Sequence, residues 1–572
     1  MNAPLEVIPE HLREYITEQD SSLYTPIDHA VWRYVMRVSK AFFGKHGHPL
    51  YLQGLTTTGI SSDRIPTIKE MDDALRKLGW RAVAINGFIP PAIFLEFQSL
   101  RILAIACDIR KLENLGYTPS PDIIHEAAGH VPIVADPSYR AYLEAYGEVA
   151  RNAIITKYDV ELYEAILQLS ELKESPTSAQ SQIIDAQKKF ELIASQEKTP
   201  SEAALLTRMA WWTTEYGLIE KDGVPLIYGA GLLSSVSESY DCLKDKVKKI
   251  PFSLDASVRT SYDITKPQPQ LFVCKSFEEL TKALDTFANG MAFRRGGTYG
   301  LKKAEEALNT CTAVLDNGIQ LTGIISNVMV TESAEEAGFL ISGTKQLSFH
   351  DEANDELSQH NLGSKIFIPL FDKNLVNTSS ADIQRKLHGS GLHAKNGLRV
   401  QGRFKREVLA GGTLGKILVL EQVKITDAQG KVVFEEKTRP YPLILGSKVI
   451  SVFGGAADRK NFVLKNQGTR KQRVKSHQSN LTPVNAKLNT YYERVRDYRD
   501  SNEIGPSILE GTIQDLNTQF PNDWLLRLEL LEIFSKQKHD SLITAQLRNA
   551  LKLLSEKNPG QKDMINRGLE LL

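Results

Sequence analysis

The sequence predicts an α+β protein of several domains, with a mainly helical first part, a β-rich middle part and a helical end. Three observations support this fold class. The 572 residues exceed what one hydrophobic core usually organises. Apolar residues recur at helical spacing through most of residues 1–340 and again in 483–572, whereas runs rich in β-branched residues mark 341–470. These three ranges are the domains that we expect.

The composition is that of an ordinary globular protein and argues against several functional classes. Basic and acidic residues number 69 each, so the net charge is zero and we expect no nucleic-acid partner. Because no apolar run of some eighteen residues is present, we expect no membrane span. The four cysteines form no CxxC pair, which is typical of reduced thiols in a cytoplasmic protein.

In the first part, the pattern predicts short strands among helices and one helical insertion. A strand is expected within 80–90, after a helix that ends at Gly79, a residue type that often caps helices. Residues 156–198 carry leucine and isoleucine at helical spacing on both sides of a Ser-Pro-Thr-Ser turn, which predicts a helical hairpin. A further amphipathic helix is expected at 276–291.

The helix after this hairpin has a well-marked expected start. Thr199 suits the N-cap, Pro200 suits the first helical position, and Glu202 completes a capping box. The apolar pattern continues to Tyr216 and stops at Gly217. We therefore expect a single helix that ends just after a glutamate, Glu215.

The β-rich part and the C-terminal helices are predicted from periodicity and turn residues. Residues 427–430 predict a hairpin turn. The glycine-rich segment 411–415 predicts another turn, because it lacks the lysine of a phosphate loop. The basic segment 466–482 is typical of a tether. Expected strands lie at 364–371, 415–426 and 431–438, and expected helices at 488–498, 524–537 and 543–557.

Two histidines, His125 and His130, stand five residues apart in PDIIHEAAGHVP (121–132). The zinc-protease motif HExxH needs four, because that spacing stacks both imidazoles on one helix face. At five, an ideal α-helix separates the side chains by about 140°. The histidines can still converge if the helix stops at Gly129, before Pro132. The spacing therefore argues against a protease while leaving a metal site open.

Glu215 is the best candidate for a third ligand. It follows an apolar helix face, where an unpaired carboxylate is costly. Two histidines and one carboxylate form the facial arrangement that leaves open positions on Fe(II). On spacing alone, three unrelated residues without a metal remain an equal alternative, and a zinc hydrolase remains a weaker one.

The motifs PDIIHEAAGHVP, TTEYGL (213–218) and YGAGLLSS (228–235), in this order, closely resemble the pterin-dependent aromatic amino acid hydroxylases. The likeness covers about residues 60–320. It implies Fe(II), a tetrahydropterin and O₂ as cofactors and co-substrate, and hydroxylation of an aromatic amino acid. His125, His130 and Glu215 match the three iron ligands of the family.

The resemblance also implies an amino acid pocket. Arg110 matches the arginine that binds the substrate carboxylate, for which a guanidinium fork is well suited. Trp211 favours phenylalanine as substrate, because tryptophan hydroxylases generally carry phenylalanine there. Asp122 is either a support for the site or a helix N-cap. The other matching pocket residues are Thr118, Pro119, Pro121, Tyr216, Gly231, Ser234 and Ser235, the serines also steadying an iron-bound histidine.

On the pterin side, the resemblance implies a backbone cradle, a stacking ring and a nearby glutamate. The matching residues are Gly87, Phe88, Ile89, Phe94 and Glu126. This chain departs from the family there. Pro90, Pro91, Ala92 and Ile93 replace a serine-serine-arginine-aspartate run, and Ala210 replaces a tyrosine. These changes bear on which pterin binds and how tightly.

Alternatives to phenylalanine hydroxylation remain. The pterin-side changes suit a hydroxylase with another aromatic substrate or altered pterin use. The large region beyond residue 340 suits a binding or assembly protein with a vestigial catalytic domain. We expect its terminal helices to pack on each other or on a second subunit, so a homo-oligomer is one outcome. The 156–198 insertion is expected to cover the active site, to mediate assembly or to do neither.

Overall fold

The computed structural model describes residues 8–87, 89–116, 121–174, 178–196, 198–264, 266–354, 363–376, 378–410, 415–462, 483–501, 506–536 and 541–572. The structure contains both helices and strands, arranged in several parts, as predicted. Helices prevail up to Ala307 and again after Pro483, and strands prevail between them. Within the described ranges, no helix is both long enough and apolar enough to cross a membrane.

The first part is built on a long buried helix, Pro26–His46, whose N-cap Thr25 forms a capping box with Asp28. The hairpin is present as Lys157–Glu174 and Gln180–Ala194, as predicted. The other α-helices of four or more residues in the described part of this region are Glu10–Arg13, Tyr51–Thr57, Ile68–Leu75, Pro91–Ser99, Pro137–Arg151, Glu202–Ala210, Ala230–Leu233, Glu238–Asp241, Leu254–Arg259, Phe277–Asn289, Ala292–Arg295 and Gly297–Ala307.

Two small sheets support these helices. The predicted strand is Arg81–Ile85, and Gly79 ahead of it adopts φ +76°, the left-handed conformation of a C-cap. It pairs in parallel with Ile102–Ala106 and antiparallel with Ile16–Thr17. The second sheet has the strand order Val224–Ile227, Leu218–Lys221, Gln270–Cys274, Lys248–Pro251.

The β-rich part consists of two sheets around one apolar core. The predicted turn closes the hairpin of Gly415–Thr426 and Val432–Glu436, where Gly430 has φ +79°. The first sheet contains Thr310–Leu315, Ile319–Val330, Glu336–Phe349, Glu352–Ala353, Lys365–Pro369 and Val449–Gly454; the second contains Leu392–His393, Arg399–Ala410, Gly415–Thr426, Val432–Glu436 and Tyr441–Ile444. Lys373–Val376 and Ser380–His388 are its helices.

The strands begin earlier than the predicted limit at residue 340. That position falls inside the strand Glu336–Phe349, which pairs with the preceding strand Ile319–Val330. Cross-strand pairing, rather than composition, therefore sets where the sheet starts. The division into domains at 340 and 470 stays a prediction. The segments 411–414 and 466–482, predicted as a turn and a tether, lie outside the described residues.

The C-terminal helices share a core with the first part of the chain. Buried residues such as Tyr492, Leu525 and Ile565 belong to the same apolar cluster as Trp32 and Tyr34 of the helix Pro26–His46. The helices are Pro483–Ser501, Pro506–Gln519, Leu525–Lys536, Ser541–Lys557 and Lys562–Glu570. These helices therefore pack on each other, as predicted, and also on the first part of the chain.

The predicted start of the helix after the hairpin was wrong by two residues. Ser201, not Thr199, is the N-cap, and its hydroxyl accepts the backbone N–H of Ala204. Glu202 does not complete a capping box. Its carboxylate accepts the backbone N–H groups of Ile154 and Ala292 instead, and partners so distant in the sequence leave no local pattern.

Candidate metal and substrate site

The two histidines converge through a change in helix type, not through the helix end predicted at Gly129. Ile124–His130 forms a π-helix that continues into Val131–Ile133. The N–H of Val131 donates to the carbonyl of Glu126, five residues back. Since a π-helix closes its hydrogen bonds over five residues, residues five apart lie about one turn apart on one face. The wide turn removes the 140° separation of an α-helix.

Glu215 also lies at the end of a π-helix, Trp211–Glu215, which follows the helix Glu202–Ala210. The N–H of Tyr216 donates to the carbonyl of Trp211 at 2.9 Å. The backbone beyond it is packed closely, because a Cβ on Gly229 would lie 2.4 Å from the carbonyl oxygen of Glu215. The single predicted helix is thus an α-helix and a π-helix in succession.

The three side chains meet at one point. The Nε2 atoms of His125 and His130 are 3.2 Å apart. They lie 3.4 Å and 3.2 Å, respectively, from the two carboxylate oxygens of Glu215. Within the described residues, this is the group of histidine, cysteine and acidic side chains whose ligand atoms cluster within 4.8 Å. The arrangement can hold a metal ion with one carboxylate and two imidazole ligands.

The electrostatics of the cluster suit a cation. Burial lowers the pKa of His125 to about 4. Burial acts in the same direction on His130, but the charge and hydrogen bond of Glu215 outweigh it and raise the pKa to about 9. Burial opposes ionisation of Glu215, yet the two histidines lower its pKa to about 2. A proton on His130 and a divalent metal ion are alternative ways to balance the Glu215 charge.

Ser234 is hydrogen-bonded to the imidazole of His125. Its hydroxyl lies 3.1 Å from Nδ1 of His125 and donates to the carbonyl of Ala230 at 2.8 Å. The serine oxygen therefore accepts a hydrogen bond from the Nδ1–H, which leaves the lone pair of Nε2 directed at the cluster. The hydroxyl of Ser235 instead accepts a hydrogen bond from the backbone N–H of Glu238.

Arg110 and Asp122 form a buried ion pair beside the histidines. The Nε and Nη2 atoms each lie 2.8 Å from a carboxylate oxygen, and Nη1 donates to the carbonyl of Ser234 at 3.0 Å. Asp122 also accepts the backbone N–H of His125. Asp122 therefore both supports Arg110 and caps the N-terminal end of the helix that carries the histidines. The described residues engage three of the five guanidinium N–H groups, and a ligand carboxylate can accept the others.

The predicted aromatic residues Trp211 and Tyr216 pack on each other and on Tyr262. Trp211 stacks on Tyr262 with the ring centroids 4.3 Å apart and the planes at 12°. It also lies 4.6 Å from the ring of Tyr216. Gly231 is packed against these rings, since a Cβ there would lie 2.9 Å from the Tyr216 ring. Pro121 precedes Asp122 and is half-buried, whereas Thr118 and Pro119 lie outside the described residues.

Of the predicted pterin residues within the described ranges, Phe94 and Glu126 lie beside the histidines. The Phe94 ring centroid is 6.1 Å from that of His130. Gly87 has φ +61° with open space around it, whereas the side chain of Ile89 is buried in a small apolar cluster. Burial, with the nearby charges of Glu215 and Asp122 acting in the same direction, raises the pKa of Glu126 to about 8. Phe88 lies outside the described residues.

Three neighbours of the site were not predicted. Tyr262 stacks on Trp211, Gln268 accepts the indole N–H of that residue at 3.4 Å, and Glu238 accepts the hydroxyl of Tyr216 at 3.4 Å. The segment that carries Tyr262 and Gln268 lacks regular secondary structure. No periodicity in the sequence therefore connects it to the site.

The sequence matches known proteins over the residues that contain the three motifs. The model of the biopterin-dependent aromatic amino acid hydroxylases matches residues 15–152 and 176–328, just over half of the chain. A phenylalanine-4-hydroxylase of Mesorhizobium japonicum is 30% identical over 266 residues, which is 46% of this chain and 80% of that protein. One of Pseudomonas aeruginosa is 29% identical over 259 residues, or 45% of this chain and 81% of that protein.

Solved structures of phenylalanine hydroxylase from Chromobacterium violaceum match as well. One with bound oxidized Fe(III) is 26% identical, covers 48% of this chain and 87% of that chain, and has a TM-score of 0.38. Another holds iron(III) and 7,8-dihydrobiopterin, with 26% identity, coverage of 48% and 85%, and the same TM-score. From the match of the family model and of these relatives' sequences, the chain belongs to the biopterin-dependent aromatic amino acid hydroxylases.

Proposed function

We propose that this protein is a non-haem Fe(II)- and tetrahydropterin-dependent monooxygenase that hydroxylates phenylalanine to tyrosine. The observation that carries the proposal is the convergence of His125, His130 and Glu215 in a chain of this family. The donor set fits Fe(II), because two imidazoles and one carboxylate occupy one side of the ion and leave positions for other ligands. Bound Fe(II) and the reduced pterin supply the activation of O₂.

The chain's own residues then bind and orient the substrate. Arg110 is held by Asp122, so the N–H groups that the described residues do not engage are fixed in direction and suit the α-carboxylate of an amino acid. The Trp211 ring offers an apolar aromatic surface to the substrate ring. The buried serine Ser234 keeps His125 in the tautomer that binds metal. Phe94, Gly87 and Glu126 are proposed to face the pterin.

Product analysis tests the proposed function. The iron-loaded protein is incubated with phenylalanine, tyrosine or tryptophan and O₂, with and without tetrahydrobiopterin. We expect tyrosine from phenylalanine only when the pterin is present. If no tyrosine forms and another aromatic amino acid is hydroxylated, phenylalanine is not the substrate.

A second candidate is a hydroxylase on the same scaffold with altered pterin use. The observation that favours it is the helix Pro91–Ser99, whose first turn begins with two prolines where the family carries polar residues. A comparison of tetrahydrobiopterin with simpler tetrahydropterins separates the candidates. Equal turnover with a pterin that lacks the dihydroxypropyl side chain favours the second.

The extent of the catalytic unit and its setting are also proposals. The apolar core shared by the first part and the C-terminal helices supports a catalytic unit that includes both. We propose that the enzyme acts in the cytoplasm on small molecules. A homo-oligomer stays a prediction, and light scattering at several protein concentrations tests it.

A further inference from the structure

The last helix, Lys562–Glu570, contacts the segment that follows the two substrate-site serines. The Nη1 group of Arg567 donates to the carbonyl of Val236 at 2.6 Å. The Arg567 guanidinium also lies 4.1 Å above the ring of Tyr240, at a distance typical of a cation–π contact. Val236 is two residues beyond Ser234, whose hydroxyl and carbonyl contact His125 and Arg110.

The same helix contacts a second segment, which precedes Asp122 in the chain. A Cβ on Gly116 would lie 3.1 Å from Cε of Met564 and 3.0 Å from the hydroxyl of Ser237. Met564, Gly116 and Ser237 therefore meet, and no space remains between them for a larger side chain. The last helix joins the segment before Asp122 to the segment after Ser235.

The helix is itself held firmly. The hydroxyl of Tyr34 donates to the carbonyl of Met564 at 2.6 Å, and Ile565 is fully buried. A Cβ on Gly568 would lie 2.4 Å from the Leu528 side chain. The helix lies outside residues 15–152 and 176–328, where the family model matches.

We propose that the last helix is a positioning element of the amino acid site and that Arg567 is its main positioning residue. The proposal rests on the proposed function. Ser234 is fixed on one side by His125 and Arg110. The bond from Arg567 to Val236 holds the same segment two residues further along the chain. Because small displacements of positioning groups weaken substrate binding and turnover strongly, this second anchor keeps the segment at the distance that the amino acid requires.

Steady-state kinetics of the full-length enzyme test the proposal. We expect Arg567→Ala to raise KM for phenylalanine by about tenfold and to leave KM for tetrahydrobiopterin unchanged, since residues 235–242 include none that is proposed to face the pterin. Arg567→Lys keeps one donor and should restore part of the affinity. The matched control is Arg295→Ala, which removes a cation–π contact with Tyr299 outside the last helix. An unchanged KM in Arg567→Ala, or an equal rise in Arg295→Ala, overturns the proposal.

Hydrogen exchange separates this proposal from the proposed function. The amides of residues 235–242 should exchange faster in Arg567→Ala than in the unaltered protein or in Arg295→Ala, whether or not the enzyme makes tyrosine. Equal exchange contradicts the positioning role even if the protein is a phenylalanine hydroxylase. If Arg567→Ala does not fold, Met564→Ala serves in its place, because it removes the contact with Gly116 and keeps the bond to Val236. In that variant, faster exchange at residues 112–116 supports the proposal and unchanged exchange refutes it.

Discussion

The Nε2 atoms of His125 and His130 lie 3.2 Å apart although the residues are five positions apart in the chain. This relationship exists because the helix that carries them is a π-helix, closed by the bond from Val131 to the Glu126 carbonyl. A π-turn contains one residue more than an α-turn. The geometry of the site therefore depends on the number of residues in this turn as well as on the ligands.

Insertion of an alanine after Ala128 would leave His125 and His130 six residues apart, so that neither an α-turn nor the present π-turn brings both imidazoles to one face. We expect stoichiometric iron binding and tyrosine formation to be lost. Iron analysis of the purified variant, with circular dichroism to check the fold, provides the measurement. Insertion of an alanine after Ser195, which is exposed at the end of the hairpin, is the control. Full iron content after the insertion at Ala128 would show that the number of residues in this turn does not set the geometry of the site.

Glu215→Gln should remove the negative charge of the cluster with little change in shape. The amide is a weaker ligand than the carboxylate, so we expect iron affinity to fall by at least about 100-fold, beyond the usual effect of a residue behind the ligands. Titration with Fe(II) under anaerobic conditions measures it. Glu220→Gln, on the exposed part of the next strand, should bind iron normally. Equal affinities in the two variants would remove Glu215 from the ligand set.

Ser234→Ala should weaken metal binding without removing a ligand. The variant loses the acceptor for Nδ1–H of His125, and loss of such a partner costs about 10–100-fold in metal affinity. Ser234→Thr keeps the hydroxyl and should retain most of the affinity. The same titration applies, with the exposed Ser195→Ala as control. Affinity unchanged in Ser234→Ala would mean that the hydrogen bond does not orient the imidazole.

Whether a feature could be predicted from the sequence depends mainly on how far apart its interacting residues lie in the chain. The hairpin, the strand Arg81–Ile85 and the turn at 427–430 depend on local periodicity and turn residues, and they were predicted. The π-helices were not, because one extra residue in a turn leaves no mark in apolar periodicity. The partners of Glu202 and the docking of the last helix on Val236 are long-range contacts between segments that share no pattern.

Gly129→Ala should destabilise the protein by about 2 kcal/mol, within the usual range for overpacking. A Cβ at Gly129 would lie 2.7 Å from the carbonyl oxygen of Ala230, so the histidine π-helix and the helix Ala230–Leu233 would have to separate. Gly511→Ala is the control, since a Cβ there meets no atom within 4 Å. Because Gly511 is an exposed position within a helix, Gly511→Ala should stabilise the protein by about 0.5–1 kcal/mol. Urea unfolding measures both, and a neutral Gly129→Ala would contradict the close packing.

Glu532 joins the C-terminal helices to the first part of the chain through charge. Its side chain is 1% exposed and forms ion pairs with Arg33 at 2.7 Å and Arg499 at 2.9 Å. Burial raises the pKa of this carboxyl, but the arginines, with a hydrogen bond from Lys536, outweigh burial and lower it from 4.5 to about 2. Glu421 is the exposed counterpart, paired with cationic side chains on the surface of a sheet.

Because the pKa of Glu532 is lower in the folded protein, its ionisation stabilises the fold above about pH 4.5 and the effect is lost as the pH falls towards 2. Glu532→Gln removes one of two buried carboxylates and leaves Glu529 as a partner of Arg33 and Arg499. We therefore expect a loss of about 2 kcal/mol at pH 7, in the range for a hydrogen bond to a charged group, and a shallower acid dependence between pH 4.5 and 2. Urea unfolding across this range is the measurement. Glu421→Gln should change stability little, because exposed pairs are screened by solvent. Parallel acid profiles for the unaltered protein and Glu532→Gln would exclude this carboxylate as the source.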